Sequence, residues 1–120
     1  MLNLDTHVLI HALAGSLKPR ERKLLSSHEW SISAIVLWEV CKLVRLGRIT
    51  LDLEEPEVAR TFRRIHTWPL TLEICMASTR IDVGGLDPAD ELIAATSIVT
   101  NAPLLTRDRK LLRSKRIPFA

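Results

Sequence analysis

The first ten residues, MLNLDTHVLI (1–10), predict the fold because a short apolar run ends in an acid and a helix pattern follows. Met1–Leu4 favours a buried strand, and Thr6–Ala14 has the apolar spacing of a helix that stops at Gly15. The same order returns near the C-terminus, where PLLTRD (103–108) also ends an apolar run in an acid. Short apolar runs alternate with helix-like segments along the chain, which is typical of an α/β fold with a mostly parallel sheet.

Capping signals and apolar runs predict the elements between these two stretches. Ser33 is a favoured N-cap for a long helix to Leu46, and Asp87 with Pro88 favours the start of another helix, to Thr100. The other predicted helices are Pro19–Ser27, Pro56–His66, Glu73–Asp82 and a short helix or turn at Asp108–Lys115. The other predicted strands are Glu29–Ile32, Pro69–Leu72, Leu104–Thr106 and, as a last edge strand, Ile117–Phe119. No repeat or linker interrupts this order, so residues 1–120 predict a single domain.

Composition predicts a packed core and a basic surface. Hydrophobic residues make up 47% of the chain and aromatic residues 4%, so the core is expected to be aliphatic. The formal net charge is +3, and the basic residues form three clusters: Lys18, Arg20, Arg22 and Lys23; Arg60, Arg63 and Arg64; and Arg107, Arg109, Lys110, Arg113, Lys115 and Arg116. Such clusters suit a polyanionic substrate, although basic residues also simply solvate helix faces.

The sequence shows neither the pattern of a secretory signal nor that of a membrane-spanning segment. The start MLNLD has no basic segment before an apolar one, so a secretory signal is not expected, and no apolar stretch is long enough to cross a membrane. Cys41 and Cys75 lie in apolar helical stretches and are expected to be reduced, buried thiols of a cytoplasmic protein. Trp38, at the edge of an apolar helix stripe, is expected to pack in the core.

Four acids, Asp5, Glu39, Asp90 and Asp108, lie where a carboxylate is structurally awkward. Asp5 and Asp108 each follow an apolar run, and because parallel strands end at one edge of a sheet, the two acids could converge there. The alternative for both is helix capping. Glu39 lies inside the apolar stripe of its helix, where an unpaired carboxylate is costly and tends to pair, take up a proton or bind a metal. The alternative for Glu39 is an exposed pair with Lys42, worth about 0.2–0.5 kcal/mol.

Asp90 is the third residue of its predicted helix. A first-turn acid is favoured by the helix dipole, which is a sufficient structural reason for it. However, Ile93, Ala94 and Ser97 form a small face suited to packing on a sheet, and that packing would carry Asp90 towards the strand ends. Its rivals are Asp87, which has a sufficient role as the cap, and Glu91, which lies further round the helix.

Four oxygen donors favour Mg²⁺ or Mn²⁺ as a shared ligand rather than zinc. His7 and His11 do have the i, i+4 spacing of a helical zinc site, but no third nitrogen or sulfur ligand is apparent nearby. The default for both histidines is a helix surface or a partly buried position.

These stretches together resemble the PIN domain family, most closely the VapC-type toxins of prokaryotic toxin–antitoxin pairs. The motifs that carry the resemblance are NLDTHVLI, SAIVLWE, DPADELIAAT and LLTRD, in that order over nearly the whole chain. The resemblance implies a three-layer α/β/α sandwich with a four- to five-stranded, mostly parallel sheet. It also implies a ribonuclease whose acids hold Mg²⁺ or Mn²⁺ at the carboxyl edge of the sheet.

The resemblance also assigns roles to individual residues. By motif, Asp5, Glu39, Asp90 and Asp108 are the catalytic acids and metal ligands, and Thr6 and Thr106 match hydroxyls that orient acids. Expected partners are an RNA substrate contacted by Arg107, Arg109 and Lys110, a cognate antitoxin protein, and a second copy in a homodimer, with no membrane. One departure is Glu91, which stands where the family often has arginine.

Two other functions are compatible with parts of the pattern. A non-catalytic PIN-like module would bind RNA or a protein partner without cutting it. Haloacid-dehalogenase-like phosphohydrolases also place an Asp after the first strand, but they need a second Asp two residues later, where this chain has His7.

Overall fold

A computed structural model describes all 120 residues and shows a four-stranded, all-parallel sheet flanked by six helices. The strands are β1 (Leu2–Leu4), β2 (Trp30–Ser33), β3 (His66–Trp68) and β4 (Leu104–Leu105), arranged in the order β3-β2-β1-β4. The helices are α1 (Thr6–Ala14), α2 (Pro19–Ser27), α3 (Ala34–Arg45), α4 (Pro56–Arg64), α5 (Leu72–Ser78) and α6 (Pro88–Thr100), followed by a 3₁₀ turn at Leu111–Arg113. The predicted α/β/α architecture with a parallel sheet is therefore confirmed.

The central strand β1 pairs with β2 on one side and β4 on the other. Leu2 is in register with Trp30, and Leu4 with Leu105, so the carboxyl ends of β1 and β4 are level with each other. Every residue of β1 is buried, as expected for a parallel strand covered on both faces. Whatever follows Leu4 and Leu105 is consequently brought together at one edge of the sheet.

The core is aliphatic, as the composition predicted. Its buried cluster consists of Leu, Ile, Val and Ala side chains, including Leu4, Leu9, Ile32, Ile93 and Leu104, each at most 1% exposed. The aromatic residues Trp30 and Phe62 only pack against its border. None of the helices combines the length and the hydrophobicity that a bilayer crossing needs.

The predicted elements around β3 were wrong in position. Helix α4 ends at Arg64, and His66–Trp68 forms the strand, whereas the sequence pattern placed His66 in the helix and the strand at Pro69–Leu72. Pairing with β2 explains the shift, because His66 lies in register with Ser31 and Trp68 with Ser33. The last predicted strand is reduced to a single bridge between Leu104 and Phe119.

Two predictions of burial on α3 were also wrong. Trp38 is 55% exposed, with the Lys42 ammonium 5.5 Å from its ring centroid, and Cys41 is exposed. The reason is that α3 buries only a narrow face, Val36 and Val40, against the core. Both cysteines are free thiols, and Cys75 is partly buried.

A partly buried ion pair joins α2 to the segment after β4. Glu21 is 5% exposed, and the Arg107 guanidinium donates from Nε to Oε2 (2.7 Å) and from Nη2 to Oε1 (2.6 Å). The backbone N–H of Lys18 also donates to Glu21 Oε1, at 2.8 Å. The hydrogen bonds from Arg107 hold the pKa of Glu21 at about 2, below its ordinary value.

We expect Glu21→Gln to destabilise the fold by about 1 kcal/mol at pH 7, since the lost charge-assisted contact is partly screened by solvent at Arg107. Because the pKa of Glu21 is lowered on folding, its contribution is present above pH 4.5 and is lost as the pH falls towards about 2. Urea unfolding at pH 7 and pH 2.5 measures both effects. The control is Glu54→Gln at an exposed loop position, and an equal loss in the two variants would contradict the prediction.

Candidate metal centre

Two of the predicted acids meet at the carboxyl edge of the sheet. Asp5 directly follows β1, and its backbone N–H donates to the carbonyl of Leu105 at 3.1 Å. Thr106 directly follows β4 in the chain, and Asp108 lies two residues further on. The parallel pairing of β1 and β4 therefore brings Asp5 next to the segment that carries Asp108.

Asp5 caps α1 and also contacts the neighbouring strand. Its Oδ1 accepts from the backbone N–H of Thr6 at 2.8 Å, and its Oδ2 accepts from the Thr106 hydroxyl at 2.6 Å. The residue is only 4% exposed. Burial raises the pKa of Asp5, although its hydrogen bonds with Thr106 and Thr6 oppose that shift. One oxygen of Asp5 therefore caps α1, as the alternative reading predicted, and the other is bonded to the segment that carries Asp108.

Two threonine hydroxyls connect the acids. Besides donating to Asp5, Thr106 Oγ1 accepts from the backbone N–H of Asp108 at 3.0 Å. Thr6 Oγ1 donates to Glu39 Oε1 at 2.5 Å and so joins the start of α1 to α3. Each hydroxyl therefore orients a carboxyl group that lies far from it in sequence.

Glu39 lies in the middle of α3, half-buried, and faces α1. Burial is the main cause that raises its pKa, and Asp87 and Asp5 add electrostatic repulsion. The sequence argument that this glutamate lies inside an apolar stripe is consistent with its partial burial. The hydroxyl that donates to Glu39 belongs to Thr6, at the start of α1.

Among the acids of the site, Asp90 has the pKa that is raised to about 7. Burial raises its pKa to about 7, and repulsion from Asp5, Asp87, Glu39 and Asp108 adds to the effect. Asp90 follows Asp87, the N-cap of α6, whose Oδ1 accepts from the Asp90 backbone N–H at 2.9 Å. The four predicted acids are thus close enough to oppose each other's ionisation.

These side chains line one polar cleft of about 350 Å³ that has no hydrophobic residue in its wall. The cleft is formed by Asp5, Thr6, His7, Glu39, Gly85, Asp87, Asp90, Asp108 and Lys110. Acids outnumber the basic side chains in this wall, which are His7 and Lys110, and the Lys110 ammonium donates to the Gly85 carbonyl at 3.3 Å. The cleft is therefore a local concentration of negative charge on a basic protein.

The chemistry of the donor set fits a hard divalent cation. Carboxylate oxygens and hydroxyls are the ligands that Mg²⁺ and Mn²⁺ prefer, and a cation would offset the burial and the repulsion that together raise the pKa of Asp90. In the observed side-chain positions, no three His, Cys, Asp or Glu side chains come close enough to hold one ion together. The fit consequently rests on the type of the donors and on their shared cleft.

The structure also shows which neighbours of the predicted acids share the cleft. Of the two rivals of Asp90 in the sequence, Asp87 lines the cleft and Glu91 does not. The capping hydrogen bond of Asp87 uses only its Oδ1, so capping does not prevent this residue from also lining the cleft. His7 lines the cleft, whereas His11 lies 2.8 Å from the Ser16 hydroxyl, so the two histidines do not share a site.

The three basic residues predicted to contact RNA differ in their surroundings. Arg107 is engaged by Glu21, which gives it a structural role. Arg109 is exposed, and Lys110 lies at the wall of the cleft. Of the three, Lys110 is the one that lines the cleft.

We expect Thr106→Val to weaken Mn²⁺ binding by about 10–100-fold, the usual effect of removing a hydrogen-bond partner of a metal ligand. Valine has nearly the shape of threonine but cannot donate to Asp5, which would leave that buried carboxyl group with one partner fewer. Isothermal titration calorimetry measures the change. Thr61→Val, at an α4 hydroxyl bonded to the Glu57 carbonyl, is the control, and unchanged binding in both variants would contradict the assignment.

Comparisons with known proteins identify the family and the fold. The sequence profile of the PIN domain family matches residues 3–117. The fold is similar to VapBC2 from Rickettsia felis bound to a promoter DNA fragment, with 17% identity, TM-score 0.75, and coverage of 100% of this chain and 98% of that chain. It is also similar to FitAcB from Neisseria gonorrhoeae, with 23% identity, TM-score 0.69, and coverage of 100% and 97%.

A toxin–antitoxin complex from Klebsiella pneumoniae is a third similar structure, with 19% identity, TM-score 0.67, and coverage of 92% of this chain and 88% of that chain. No curated protein sequence matches this chain. At such identities the three structures establish a shared fold.

Proposed function

The chain belongs to the PIN domain family, and from that premise we propose that it is a divalent-metal-dependent endoribonuclease that hydrolyses RNA phosphodiesters. One observation carries the proposal: carboxyl groups from four separate stretches of sequence line a single polar cleft at the carboxyl edge of a parallel sheet. Mutual repulsion in that cleft makes a bound cation favourable, and Mg²⁺ or Mn²⁺ suits its oxygen donors.

In the proposed mechanism, Asp5, Glu39, Asp90 and Asp108 hold the ion, the Thr6 hydroxyl orients Glu39, and the Thr106 hydroxyl orients Asp5. A bound ion would lower the pKa of an attacking water and neutralise charge on the phosphoryl oxygens. No side-chain nucleophile is required. The Lys110 ammonium at the cleft wall would contact the phosphate backbone next to the scissile bond.

The basic surface supports a polyanionic substrate. Lys18, Arg20, Arg22 and Lys23 are all exposed on or beside α2, and Arg109 is exposed next to the cleft. Phosphate contacts of this kind would make binding salt-dependent, because each neutralised phosphate releases counterions. The proposed location of this activity is the cytoplasm.

We further propose that this nuclease is the toxin of a toxin–antitoxin pair, held inactive by a cognate antitoxin protein. The similar folds from Klebsiella pneumoniae, Rickettsia felis and Neisseria gonorrhoeae support this, since the first of those structures is a toxin–antitoxin complex. The antitoxin is identified by co-purification when the neighbouring reading frame is expressed with this chain.

A homodimer is proposed to form through an apolar surface beside the cleft. Trp38 and Leu70 are 55% and 40% exposed, and with Pro88 and Leu92 they border a shallow apolar hollow. Trp38 precedes Glu39, and Pro88 follows Asp87, so a second copy bound here would lie next to the acids.

Trp38→Glu is expected to weaken such a dimer by at least about 30-fold, the effect of losing a 2 kcal/mol interface anchor. Light scattering over a concentration series measures the dissociation constant. The matched control is Leu112→Glu, which introduces the same charge at an exposed leucine on the C-terminal turn. A dimer that persists in Trp38→Glu would exclude this surface.

The deciding experiment is cleavage of labelled tRNA, rRNA fragments and single-stranded DNA with Mg²⁺ or Mn²⁺. EDTA and the Asp90→Asn protein are the controls. Metal-dependent cutting of RNA that both controls lack would establish the nuclease. Cutting that continues in EDTA would contradict the proposed chemistry.

A second candidate function is a non-catalytic PIN-like module that binds RNA or a protein partner. The specific observation in its favour is that no three acids come close enough to share an ion in the observed positions. Folded protein that binds RNA with nanomolar affinity but cuts no substrate under any metal condition would support this alternative.

A further inference from the structure

A fully buried asparagine lies in the central strand, two residues before Asp5. Asn3 is 0% exposed, between Leu2 and Leu4. Its Nδ2 donates to the Ser97 hydroxyl at 2.9 Å and to the Ile93 carbonyl at 3.2 Å, both on α6. Its Oδ1 has no hydrogen-bond partner. The amide thus contacts one turn of α6 at two points.

A leucine at position 3 would stabilise the core more than this asparagine does. An unpaired buried carbonyl oxygen carries a desolvation cost that a leucine of similar shape would avoid. The asparagine instead fixes the relative position of strand and helix. A hydrogen bond holds two groups at a defined distance, whereas apolar side chains can slide past each other. Retention of a buried polar group for structural specificity is a known use of such residues.

The buried surface of α6 beside this contact consists of Ile93 and of small side chains. Ala94 and Ala95 are fully buried and carry only methyl groups, so no large side chain interlocks with the sheet at these positions. The strand face that carries Asn3 also carries the small polar Ser31, its partner in register on β2. The hydrogen bonds from Asn3 are therefore the directional contact recorded between β1 and α6.

The contact lies at a short distance along the chain from two acids of the cleft. Asp5 follows Asn3 by two strand residues, about 7 Å. Asp90 precedes Ile93 by three helix residues, about 4.5 Å of helix rise. A shift of α6 relative to β1 would consequently change the separation of Asp5 and Asp90 almost directly.

We propose that Asn3 is a positioning residue that fixes the height of α6 against β1 and thereby sets the separation of Asp5 and Asp90. This inference rests on the proposed function, because the separation matters if the two carboxyl groups hold one divalent ion between them. The contact itself is independent of any ion.

The test compares three variants of the full chain. Asn3→Leu removes both contacts to α6 while keeping the branched shape, and Ser97→Ala removes only the 2.9 Å contact. The matched control is Ser31→Ala, which deletes an equally buried hydroxyl that donates within the sheet, to the Leu2 carbonyl at 2.8 Å. Crystal structures without metal give the Asp5–Asp90 separation, and calorimetry with MnCl₂ gives the affinity for the ion.

We expect Asn3→Leu to melt no lower than the wild type, to change the Asp5–Asp90 separation, and to bind Mn²⁺ about tenfold more weakly. Ser97→Ala should show the same changes at smaller size, and it carries the test if Asn3→Leu does not fold. Ser31→Ala should melt lower and bind Mn²⁺ as the wild type does. In a double-mutant cycle, Ser97→Ala should add nothing to Asn3→Leu.

An unchanged Asp5–Asp90 separation in the metal-free variants overturns the inference, and so does unchanged Mn²⁺ affinity when the wild type binds the ion. Failure of the proposed function has a different signature. In that case the wild type itself binds no Mn²⁺ and cuts no RNA, while the metal-free structures still show whether Asn3 positions α6.

Discussion

Asp5→Asn is expected to reduce the rate of RNA cleavage by more than about a hundredfold, which corresponds to a loss of about 3 kcal/mol of transition-state stabilisation. Asp5 connects two parts of the site, since its two oxygens accept hydrogen bonds from the start of α1 and from Thr106 beside β4. Asparagine removes the negative charge that a divalent ion needs. Asp90→Asn should have an effect of the same size for the same reason.

We expect the Asp5→Asn protein to fold, so that the lower cleavage rate reports on the chemistry of the site. Asparagine caps a helix about as well as aspartate, and its Oδ1 can still accept from the Thr6 backbone N–H. The Thr106 hydroxyl can rotate and accept from the new amide. Burial raises the pKa of Asp5, so replacing it by a neutral group also removes an unfavourable charge.

Initial rates on labelled RNA at saturating Mn²⁺, together with a thermal melt of each variant, measure this prediction. The matched control is Glu91→Gln, which removes a carboxylate next to Asp90 in sequence but outside the cleft. Cleavage at near the wild-type rate by Asp5→Asn and Asp90→Asn would contradict the assignment of these acids as metal ligands. A loss in Glu91→Gln as large as in Asp90→Asn would show that the effect is not specific to the cleft.

Mn²⁺ is expected to stabilise the protein at pH 8 by about 2.7 kcal/mol when present at a hundred times its dissociation constant, a rise on the order of 10 °C in melting temperature. At pH 5 the rise should be much smaller. The physical reason is that the pKa of Asp90 is about 7 without metal, so at pH 5 an ion must displace a proton from this carboxyl group.

The metal-free protein should show the opposite dependence on pH. Because the pKa of Asp90 is raised on folding from 3.8 to about 7, the folded state binds a proton more tightly than the unfolded chain between these values. The contribution of Asp90 to stability is therefore highest below pH 3.8 and decreases as the pH rises to about 7. In Asp90→Asn this decrease and most of the stabilisation by Mn²⁺ at pH 8 should be lost.

Thermal melts at pH 5 and pH 8, in EDTA and in MnCl₂, measure both effects. The wild type in CaCl₂ at the same concentration distinguishes a metal site from general screening of charge. If Mn²⁺ raises the melting temperature equally at both pH values, or equally in wild type and Asp90→Asn, the ion does not bind at the acidic cleft.

Local patterns in the sequence were sufficient to predict the architecture, and they also nominated the four acids. Apolar runs of strand length, N-caps such as Ser33 and Asp87, and the acids after two strands are all properties of neighbouring residues. These features depend on backbone sterics and hydrogen bonding within a few residues, so they can be recognised without knowing the rest of the fold. The predicted parallel α/β sheet followed from them, and the structure confirmed it.

Features that depend on distant partners appeared only in the tertiary structure. Glu21 is joined to Arg107 across 86 positions of sequence, and this contact removes Arg107 from the free basic surface. Whether Asp87 or Glu91 shares the cleft with Asp90 depended on how α6 lies against the sheet, which no local pattern encodes. The position of β3 was likewise decided by its register with β2.

Asn3 and Trp38 illustrate the same division between local and long-range information. An asparagine in an apolar strand was visible in the sequence, but its meaning depended on Ser97, 94 positions away, coming within 2.9 Å. Trp38 matched the edge of an apolar stripe, yet the core that α3 covers is only wide enough for Val36 and Val40. Helical periodicity predicts which residues share a face, whereas the width of the buried face depends on the elements packed against it.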